Sequence, residues 1–429
     1  MESVIFLVLG LIVLMGIGVP VAFSLGITSI LFMVLQQGFD FSYEIVVQRM
    51  LHGVNNFTLL AVPFFIFAAK VMNQGGITTR IFNFANSVVG HLPGGLGQVN
   101  IVASIIFSGM SGSASADAAG LGSIELKAMS DAGYDKDFAL AVTGASSLVG
   151  PIIPPSIPLV FYGVAAETSV GALLLAGIIP GLILGLSMMV YVAIYATLKN
   201  YPREKKQSVR DILKNLWYSL FPLFTPLIII TGIFSGWFTA TEAAAVAATY
   251  ALILSFIYGD MSLSDLPAVI EDTVKTTISA VLIAATANLY GWVVLREGIP
   301  MYAAEMISSI ATTQVGALFI IIALLIVLGT FMAPIPAILI LTPILVPYIS
   351  SLGINKIHFG IIMILSLMIG LLTPPVGMVL YILQKVSGVP FIRIVKAILP
   401  FLIPVIITLI FLVYFPQITL FIPSLYFSQ

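Results

Sequence analysis

The chain has no cysteine and very little charge. Its 429 residues include 17 Lys and Arg, 18 Asp and Glu and 3 His. Without cysteine, disulfides and thiol chemistry are excluded. Charged residues make up 8% of the sequence and hydrophobic residues 60%, so there are too few polar side chains to cover a soluble globule of this length. The composition therefore predicts an integral membrane protein.

Long stretches without any charge support this prediction. The runs 168–198, 215–241, 306–355 and 397–429 contain 31, 27, 50 and 33 uncharged residues. A helix needs about 20 apolar residues to span a bilayer, whereas the strands of a membrane barrel are about ten residues long and alternate in polarity. The sequence thus predicts an all-α polytopic membrane protein.

A helix-breaking pattern occurs twice in these apolar segments. The stretch GPIIPP at 150–155 has a counterpart, GLLTPP, at 370–375, which lies 220 residues further along the chain. Proline removes a backbone donor, and unwound backbone at membrane depth persists only where it is buried in protein or lines a polar cavity. Chance placement of prolines is the alternative. The pattern favours two related halves, each with one broken helix, as in secondary transporters built from inverted repeats.

The most basic loop of the chain divides the two halves. Residues 199–214 contain Arg203, Lys205, Lys206 and Arg210, which places this linker in the cytoplasm by the positive-inside rule. We expect residues 1–198 to form the first inverted repeat and residues 215–429 the second.

Each half is expected to contain scaffold helices, an interfacial arm helix, a re-entrant helical hairpin and a broken helix. The hairpins are predicted at 89–125 and 306–355. Mixed-charge stretches at 37–54 and 259–275 would suit the arm helices.

Small residues mark the tip of the first predicted hairpin. Of the 15 residues at 108–122, 12 are Gly, Ala or Ser. Such residues allow close helix packing, but four serines and Asp117 go beyond packing. They favour a turn that offers hydroxyls, carbonyls and a helix N-terminus to ions or anions. The counterpart at 329–336 has Pro334 and Pro336 instead of serines.

Three charged residues call for separate interpretation. Asp117 lies deep in an apolar region, where a charge costs about 2.5 to 3.5 kcal/mol, so it is expected to face a cavity or a partner. Arg296 suits bidentate recognition of a carboxylate, with snorkelling or pairing with Glu297 as the alternatives. Glu242 fits a capping box with Thr239.

The sequence does not favour an enzyme. It has no nucleotide-binding or metal-hydrolase motif, and a serine and an aspartate without a nearby histidine make a weak nucleophile. A channel would also explain polar helix breaks, although it would not need two inverted hairpins.

Six stretches together form a specific set of motifs. They are GIGVPVAFSLG at 16–26, AVPFF at 61–65, FSGMSGSASAD at 107–117, GPIIPPS at 150–156, TATEAAA at 239–245 and GLLTPP at 370–375. With these motifs the chain resembles, over nearly its full length, the large membrane subunit of tripartite ATP-independent periplasmic (TRAP) transporters. The sialic acid branch is the most similar and the C4-dicarboxylate branch comes next.

The resemblance implies a sodium-driven importer of organic acids in the bacterial inner membrane, working by an elevator mechanism. It also implies two partners, a periplasmic substrate-binding protein and a small four-helix membrane subunit. Because the chain starts directly with the large-subunit pattern, we expect the small subunit to be a separate chain. An ion or organic-anion transporter that needs no binding protein is a further alternative.

The resemblance also implies sites. The coupling ion is Na⁺, in two or more copies. One sodium site would use Ser108, Ser111, Gly150 and Ile153, and its inverted partner Gly329, Met332, Gly370 and Thr373, mostly through carbonyls. The organic acid would lie between them, near Ser113, Asp117, Ser156 and Arg296.

Overall fold

The computed structural model describes residues 2–37, 42–74 and 76–426, and these fold into 23 α-helices. The helices are α1 Glu2–Gly16, α2 Val21–Gln37, α3 Tyr43–Val54, α4 Ala61–Gln74, α5 Ile77–Val89, α6 Leu96–Ser111, α7 Ala114–Ala119, α8 Leu121–Asp131, α9 Lys136–Ser146, α10 Ile157–Ala165, α11 Val170–Ala176, α12 Ile178–Lys199, α13 Val209–Phe234, α14 Ala240–Ile257, α15 Leu266–Arg296, α16 Ile299–Ile310, α17 Gln314–Phe331, α18 Pro334–Ser351, α19 Lys356–Leu371, α20 Met378–Ser387, α21 Phe391–Ile398, α22 Leu402–Tyr414 and α23 Pro416–Tyr426.

Seven helical segments among the described residues are long and apolar enough to cross a membrane. They are Val170–Lys199, Val209–Phe234, Ala240–Ile257, Leu266–Arg296, Gln314–Phe331, Pro334–Ser351 and Phe391–Tyr414. The prediction of a multi-pass α-helical membrane protein is therefore confirmed.

Polarity is distributed as expected for a protein in lipid. Large apolar side chains such as Leu9, Val190 and Ile194 are more than half exposed, while polar side chains such as Asn100 and Thr342 are fully buried. In water, so much exposed apolar surface would cause association. Against lipid it is the stable arrangement, and the polar side chains buried in the largely apolar interior are candidates for a functional role.

The helices that lead into the two Pro-Pro stretches lie at the centre of the molecule. In α9 every residue from Phe138 to Ser146 is buried, and in α19 every residue from His358 to Leu371. Helix α6 packs against α9, and α17 packs against α19. The chain breaks are thus surrounded by protein, where unwound backbone can find partners.

The outer helices join the two halves of the chain. Helix α4 packs against α14, and α15 packs against α2, α3 and α4. Lys70 on α4 pairs with Asp272 on α15. Arg80 on α5 pairs with Asp260 at 2.5 Å, and its guanidinium carbon lies 3.9 Å from the centre of the Tyr258 ring.

Only one of the two predicted arm helices is a separate element. Helix α3 is bent by 55° from the helical segment that follows it, where Asn56 accepts a hydrogen bond from the Thr58 amide. Residues 38–41 of this prediction lie outside the described residues. The second prediction needs correction, because residues 266–275 are the first turns of the continuous helix α15. After Pro267, which lies in the first turn, this stretch has no Gly or Pro to stop the helix.

The basic linker is shorter than predicted. Helix α13 begins at Val209, with Ser208 accepting a hydrogen bond from the Asp211 amide, so the connection runs from 200 to 208. This connection is tied to the helices of the first half. The Glu204 amide donates to the Gly90 carbonyl at 3.2 Å, and the Tyr134 hydroxyl donates to the Pro202 carbonyl at 2.7 Å.

Candidate transport site at the helix breaks

The first break is the turn between α6 and α7. Gly112 adopts the left-handed conformation, with φ +59°, and a Cβ there would lie 2.4 Å from the Pro155 carbonyl oxygen. Only glycine meets both requirements. Ser113 then begins α7, and its hydroxyl accepts a hydrogen bond from the Ala116 amide at 3.4 Å. The sequence thus turns the chain sharply and brings it against the Pro-Pro stretch.

That stretch, residues 150–156, separates α9 from α10. A Cβ on Gly150 would lie 3.5 Å from the Ser113 carbonyl oxygen, so the hairpin tip and the unwound loop are in contact. Ser156 begins α10 by accepting a hydrogen bond from the Leu159 amide at 3.2 Å, and its hydroxyl donates to the Pro151 carbonyl. The side chain of Ser156 therefore serves the local structure.

The predicted ligands of the first sodium site differ in whether their polar groups already have hydrogen-bond partners. The Ser108 hydroxyl donates to the Ile105 carbonyl in its own helix at 2.6 Å. The Ile153 amide donates to the Val149 carbonyl at 3.1 Å. Ser111 is buried, and its hydroxyl has no hydrogen-bond partner within the described part of the chain. A buried hydroxyl of this kind is available to a bound ion or water.

The second break repeats this arrangement with other residues. Helices α17 and α19 touch through their backbones, since a Cβ on Gly370 would lie 2.5 Å from the Gly329 carbonyl carbon. The Gly377 amide donates to the Thr330 carbonyl at 3.0 Å, which joins the second tip to its loop. The Thr373 hydroxyl donates to the Ile369 carbonyl at 2.8 Å.

At this second tip the backbone is extended at Met332, and Pro334 opens α18. Proline is well placed in the first turn of a helix because its missing amide hydrogen would have no partner there. Pro334 and Pro336 therefore lie in the first turn of α18 and also mark the break between α17 and α18. Both proline pairs, Pro154-Pro155 and Pro374-Pro375, have cis peptide bonds.

A small cavity lies between the two tips. Its volume is about 80 Å³. It is lined from the first half by residues 112–115, Pro151, Ile157 and Pro158, and from the second half by Pro334, Ile335, Met368 and Leu371. The two halves of the chain thus share one cavity between the tips.

Of the four predicted substrate residues, Ser113 lines this cavity and the other three lie elsewhere. Ser156 is fully buried behind the loop. Arg296 ends α15, with its guanidinium carbon 5.4 Å from the centre of the Trp292 ring. Asp117 is 1% exposed, and neither of its carboxylate oxygens has a hydrogen-bond partner among the residues described. The structure does not bring these four side chains together.

Sequence reasoning missed the surroundings of Asp117. Glu125 on α8 is also 1% exposed and interacts electrostatically with Asp117. Nearby α6 and α9 are joined by buried hydrogen bonds, with the Asn100 amide donating to Thr143 at 2.7 Å and the Ser146 hydroxyl donating to Asn100 at 2.7 Å. The sequence did carry a signal for this pair of carboxylates. Glu125 lies eight residues after Asp117, in a stretch of small and apolar residues.

The capping box is confirmed. The Thr239 hydroxyl accepts from the Glu242 amide at 3.3 Å, and the Glu242 carboxylate accepts from the Thr239 amide at 2.8 Å. Glu242 thus has a structural partner at the start of α14.

Comparisons with known proteins decide the family. A model of the tripartite ATP-independent periplasmic transporter DctM component matches residues 8–418. The chain belongs to this family. It is therefore the large permease of a TRAP transporter, a multi-pass membrane protein and not an enzyme. TRAP family membership implies the inner membrane as its location, and a small membrane subunit and a periplasmic binding protein as its partners.

Three relatives in the TRAP family are similar to this chain. The sialic acid TRAP transporter large permease protein SiaM of Vibrio cholerae is 46% identical over 98% of both chains. The sialic acid TRAP transporter permease protein SiaT of Haemophilus influenzae is 41% identical over 99% of this chain and 69% of its own length. The C4-dicarboxylate TRAP transporter large permease protein DctM of Pseudomonas aeruginosa is 40% identical over 86% of this chain and 87% of its own.

The fold of this TRAP permease also resembles a solved structure. The YdaH transporter of Alcanivorax borkumensis, whose crystal structure is described as having an unusual topology, matches with a TM-score of 0.66. The match covers 89% of each chain at 12% sequence identity. At this identity the likeness concerns the fold alone.

Proposed function

We propose that this TRAP permease couples the entry of sodium to the uptake of an organic acid, with sialic acid as the preferred substrate. The observation that carries the proposal is the pairing of each hairpin tip with an unwound loop, Gly112 with Pro155 and Thr330 with Gly377, and the cavity that the two halves share. Paired breaks of this kind are how secondary transporters expose backbone carbonyls to ions.

We interpret α6–α8 and α17–α18 as the two re-entrant hairpins of an inverted repeat. The 220-residue offset between the two Pro-Pro stretches and the contact of each tip with the loop of its own half support this interpretation. In an elevator mechanism the central hairpins and broken helices would move together against the outer helices α2, α3, α4, α14 and α15.

Each tip and loop is proposed to hold one sodium ion. The first site would use Ser108, Ser111, Gly150 and Ile153, and the second Gly329, Met332, Gly370 and Thr373. Hard cations prefer oxygen ligands, and both sets offer carbonyls and hydroxyls without a carboxylate. The buried, unpartnered hydroxyl of Ser111 supports the first site. Ser113, in the wall of the cavity between the sites, is the proposed substrate contact.

Sialic acid is preferred because the relatives at 46% and 41% identity are named for it. The relative named for C4-dicarboxylates, at 40% identity over a shorter part of the chain, makes a dicarboxylate the second candidate.

Uptake by reconstituted protein tests the proposal. Proteoliposomes containing this chain, its small subunit and the binding protein would be supplied with labelled N-acetylneuraminate or succinate under an inward sodium gradient. We expect accumulation of N-acetylneuraminate that needs both sodium and the binding protein. Accumulation of succinate alone would favour the dicarboxylate alternative. Equilibration without a gradient or binding protein would indicate a channel and contradict the proposal.

A further inference from the structure

A second, larger cavity lies apart from the helix breaks. Its volume is about 400 Å³, and it is bounded by α3, α10, α15 and α18 and by the start of α19. Ligand cavities are typically about 300 to 1,000 Å³, a range that includes this cavity and excludes the space between the tips. We call it the outer cavity. Its polar and charged lining residues are Arg49, His52, Asn56, Glu167, Asn288, Trp292, Thr342 and Lys356.

The outer cavity lies on the membrane face opposite the basic linker. The candidate span Val170–Lys199 runs directly into the linker, and residues 164–167, which line the cavity, come just before its other end. Trp292 likewise lies near the end of the span Leu266–Arg296. With the basic linker in the cytoplasm, the cavity faces the side from which substrate arrives.

Cationic groups are concentrated in this cavity. Two permanent cations, Arg49 and Lys356, line it together with His52, and the one carboxylate among its lining residues belongs to the exposed Glu167. The Lys356 ammonium donates to the Ala166 carbonyl at 3.2 Å. Arg49 is partly buried, and its Nε has no hydrogen-bond partner in the described structure. A buried guanidinium donor without an acceptor is suited to an anionic ligand.

The position of Arg49 is fixed by its neighbours. Its guanidinium carbon lies 5.1 Å from the centre of the Trp292 ring. Helix α3 lies directly on α15 at Gly53, where a Cβ would come within 2.6 Å of the Asn288 side chain and 2.7 Å of the Ala284 carbonyl oxygen. This contact leaves no room for α3 to approach further, so the cavity wall is set by backbone packing.

We propose that the outer cavity is a binding site for the carboxylate of the substrate, occupied before the cavity between the tips opens. Arg49 would donate hydrogen bonds to the carboxylate, and the amides of Asn56 and Asn288 would bind hydroxyl or acetamido groups. The proposal rests on the proposed function in that the ligand is the transported organic acid. It adds a site that neither the helix breaks nor the predicted residues include.

Tryptophan fluorescence of the full chain in lipid nanodiscs tests this site. The chain has three tryptophans, and Trp217 and Trp237 are 65% and 81% exposed. With both changed to Phe, Trp292 becomes the only reporter and lies in the cavity wall. We expect N-acetylneuraminate to change its emission saturably without sodium, and the uncharged methyl ester to bind at least about tenfold more weakly.

Three variants make the test specific. Arg49→Gln should weaken binding of the acid to the level of the ester. Arg203→Gln, which changes an exposed arginine in the linker, is the matched control and should bind as the parent does. Ser111→Leu, at the first tip, should abolish uptake while leaving the Trp292 titration unchanged.

Other results would overturn the proposal. Equal binding of the acid and ester, or unchanged binding in Arg49→Gln, would show that the cavity does not recognise a carboxylate. Loss of the signal in Ser111→Leu would assign it to the tips. Calorimetric titration of the chain with all three tryptophans, with and without Arg49→Gln, checks the same prediction independently of the Phe substitutions. Failure of sodium-dependent uptake with an intact Trp292 titration would instead contradict the proposed function alone.

Discussion

The serines near the first tip differ in the hydrogen bonds that their hydroxyls already make. Ser108 donates to a carbonyl of its own helix, Ser113 accepts from the first turn of α7, and Ser156 both begins α10 and donates to Pro151. Ser111 alone among these four is buried with its hydroxyl unpartnered in the described structure. A polar group left in this state costs about 1 to 3 kcal/mol, a cost that the proposed sodium ion would remove.

Ser111→Ala is expected to weaken sodium binding, because it removes an oxygen ligand without adding bulk. The sodium concentration for half-maximal uptake should rise about tenfold, which corresponds to about 1.4 kcal/mol. Ser108→Ala is the matched control. It keeps the carbonyl and removes a hydroxyl that is already satisfied within the helix, so its sodium dependence should stay within about twofold of the parent. Equal effects of the two substitutions would exclude Ser111 as a ligand through its hydroxyl.

Asp117→Asn is expected to separate stability from function. Asn has nearly the same shape and no charge, so it relieves the cost of burying a carboxylate beside Glu125. The melting temperature of the purified chain should hold or rise, while sodium-dependent uptake should fall at least about tenfold if the negative charge is needed for coupling. Uptake at the parent level would show that Asp117 is dispensable. A large loss of stability would show that its contacts are structural.

Individual residues show where sequence reasoning reaches its limit. Gly112 and Gly150 were predictable as parts of breaks, since glycine and proline act locally. Arg296 was predicted to lie near the substrate with Asp117 because its guanidinium suits a carboxylate, but the structure leaves Arg296 beside Trp292 at the end of α15. The environment of a charge depends on tertiary distances that spacing along a chain does not contain. For the same reason the contact between Arg49 and Trp292, which are 243 residues apart in sequence, was not predictable.

Among elements, the pairs formed by a tip and a loop are the most constrained. Helices α17 and α19 approach each other through Gly329 and Gly370 so closely that neither position has space for a methyl group. At the first break Gly112 has the same role against Pro155. Small residues at such crossings allow backbone contact, which is how a membrane protein can place carbonyl groups of two elements around one ion.

Gly370→Ala is expected to abolish uptake. The added Cβ would lie 2.5 Å from the Gly329 carbonyl carbon, so the two helices must separate. Overpacking of this kind costs about 1 to 3 kcal/mol, and the separation would also displace the proposed second sodium site. Uptake and the melting temperature should both fall.

Gly16→Ala is the matched control for Gly370→Ala, because a Cβ at the end of α1 meets nothing within 4 Å. It should leave both measurements unchanged. Normal uptake in Gly370→Ala would mean that the contact between α17 and α19 can open without loss of function.

Element boundaries were predictable where a local signal exists. The Pro-Pro stretches, the Gly-Ser tip and the capping box at Thr239 all carry such signals, and the structure has breaks or caps at these places. The separate arm helix expected in 259–275 had only a change in charge as its signal. Charge does not stop a helix, and the structure continues α15 to Arg296.

At the scale of the whole molecule, the lipid-facing outer helices and the buried central helices form two layers. The outer helices are joined across the two halves by Arg80 with Asp260 and by Lys70 with Asp272. The central helices α9 and α19 carry the breaks and are buried along most of their length. In the proposed mechanism the central layer would move against the outer layer.

Transport is expected to be electrogenic. The two proposed sodium sites contain no carboxylate, so two sodium ions entering with one monovalent acid carry a net positive charge inward. A membrane potential contributes about 2.3 kcal/mol per charge per 100 mV. In the proteoliposomes described above, an inside-negative potential should accelerate uptake, and the sodium dependence should be steeper than first order.

Uptake that ignores voltage, with a Hill slope near one, would contradict the two-site interpretation. Uptake that is driven by protons and needs no sodium would instead indicate Asp117 as the coupling group.

The small volume of the cavity between the tips bears on the leakage of sodium ions and protons through the protein. About 80 Å³ holds a few water molecules but no organic acid, and most of its wall consists of Ala, Pro, Ile, Met and Leu side chains. Under the proposed mechanism a carrier must also return empty. A mostly apolar seam gives sodium ions and protons no continuous chain of polar groups to follow during that return. When the substrate is scarce, the cell would therefore keep its sodium gradient.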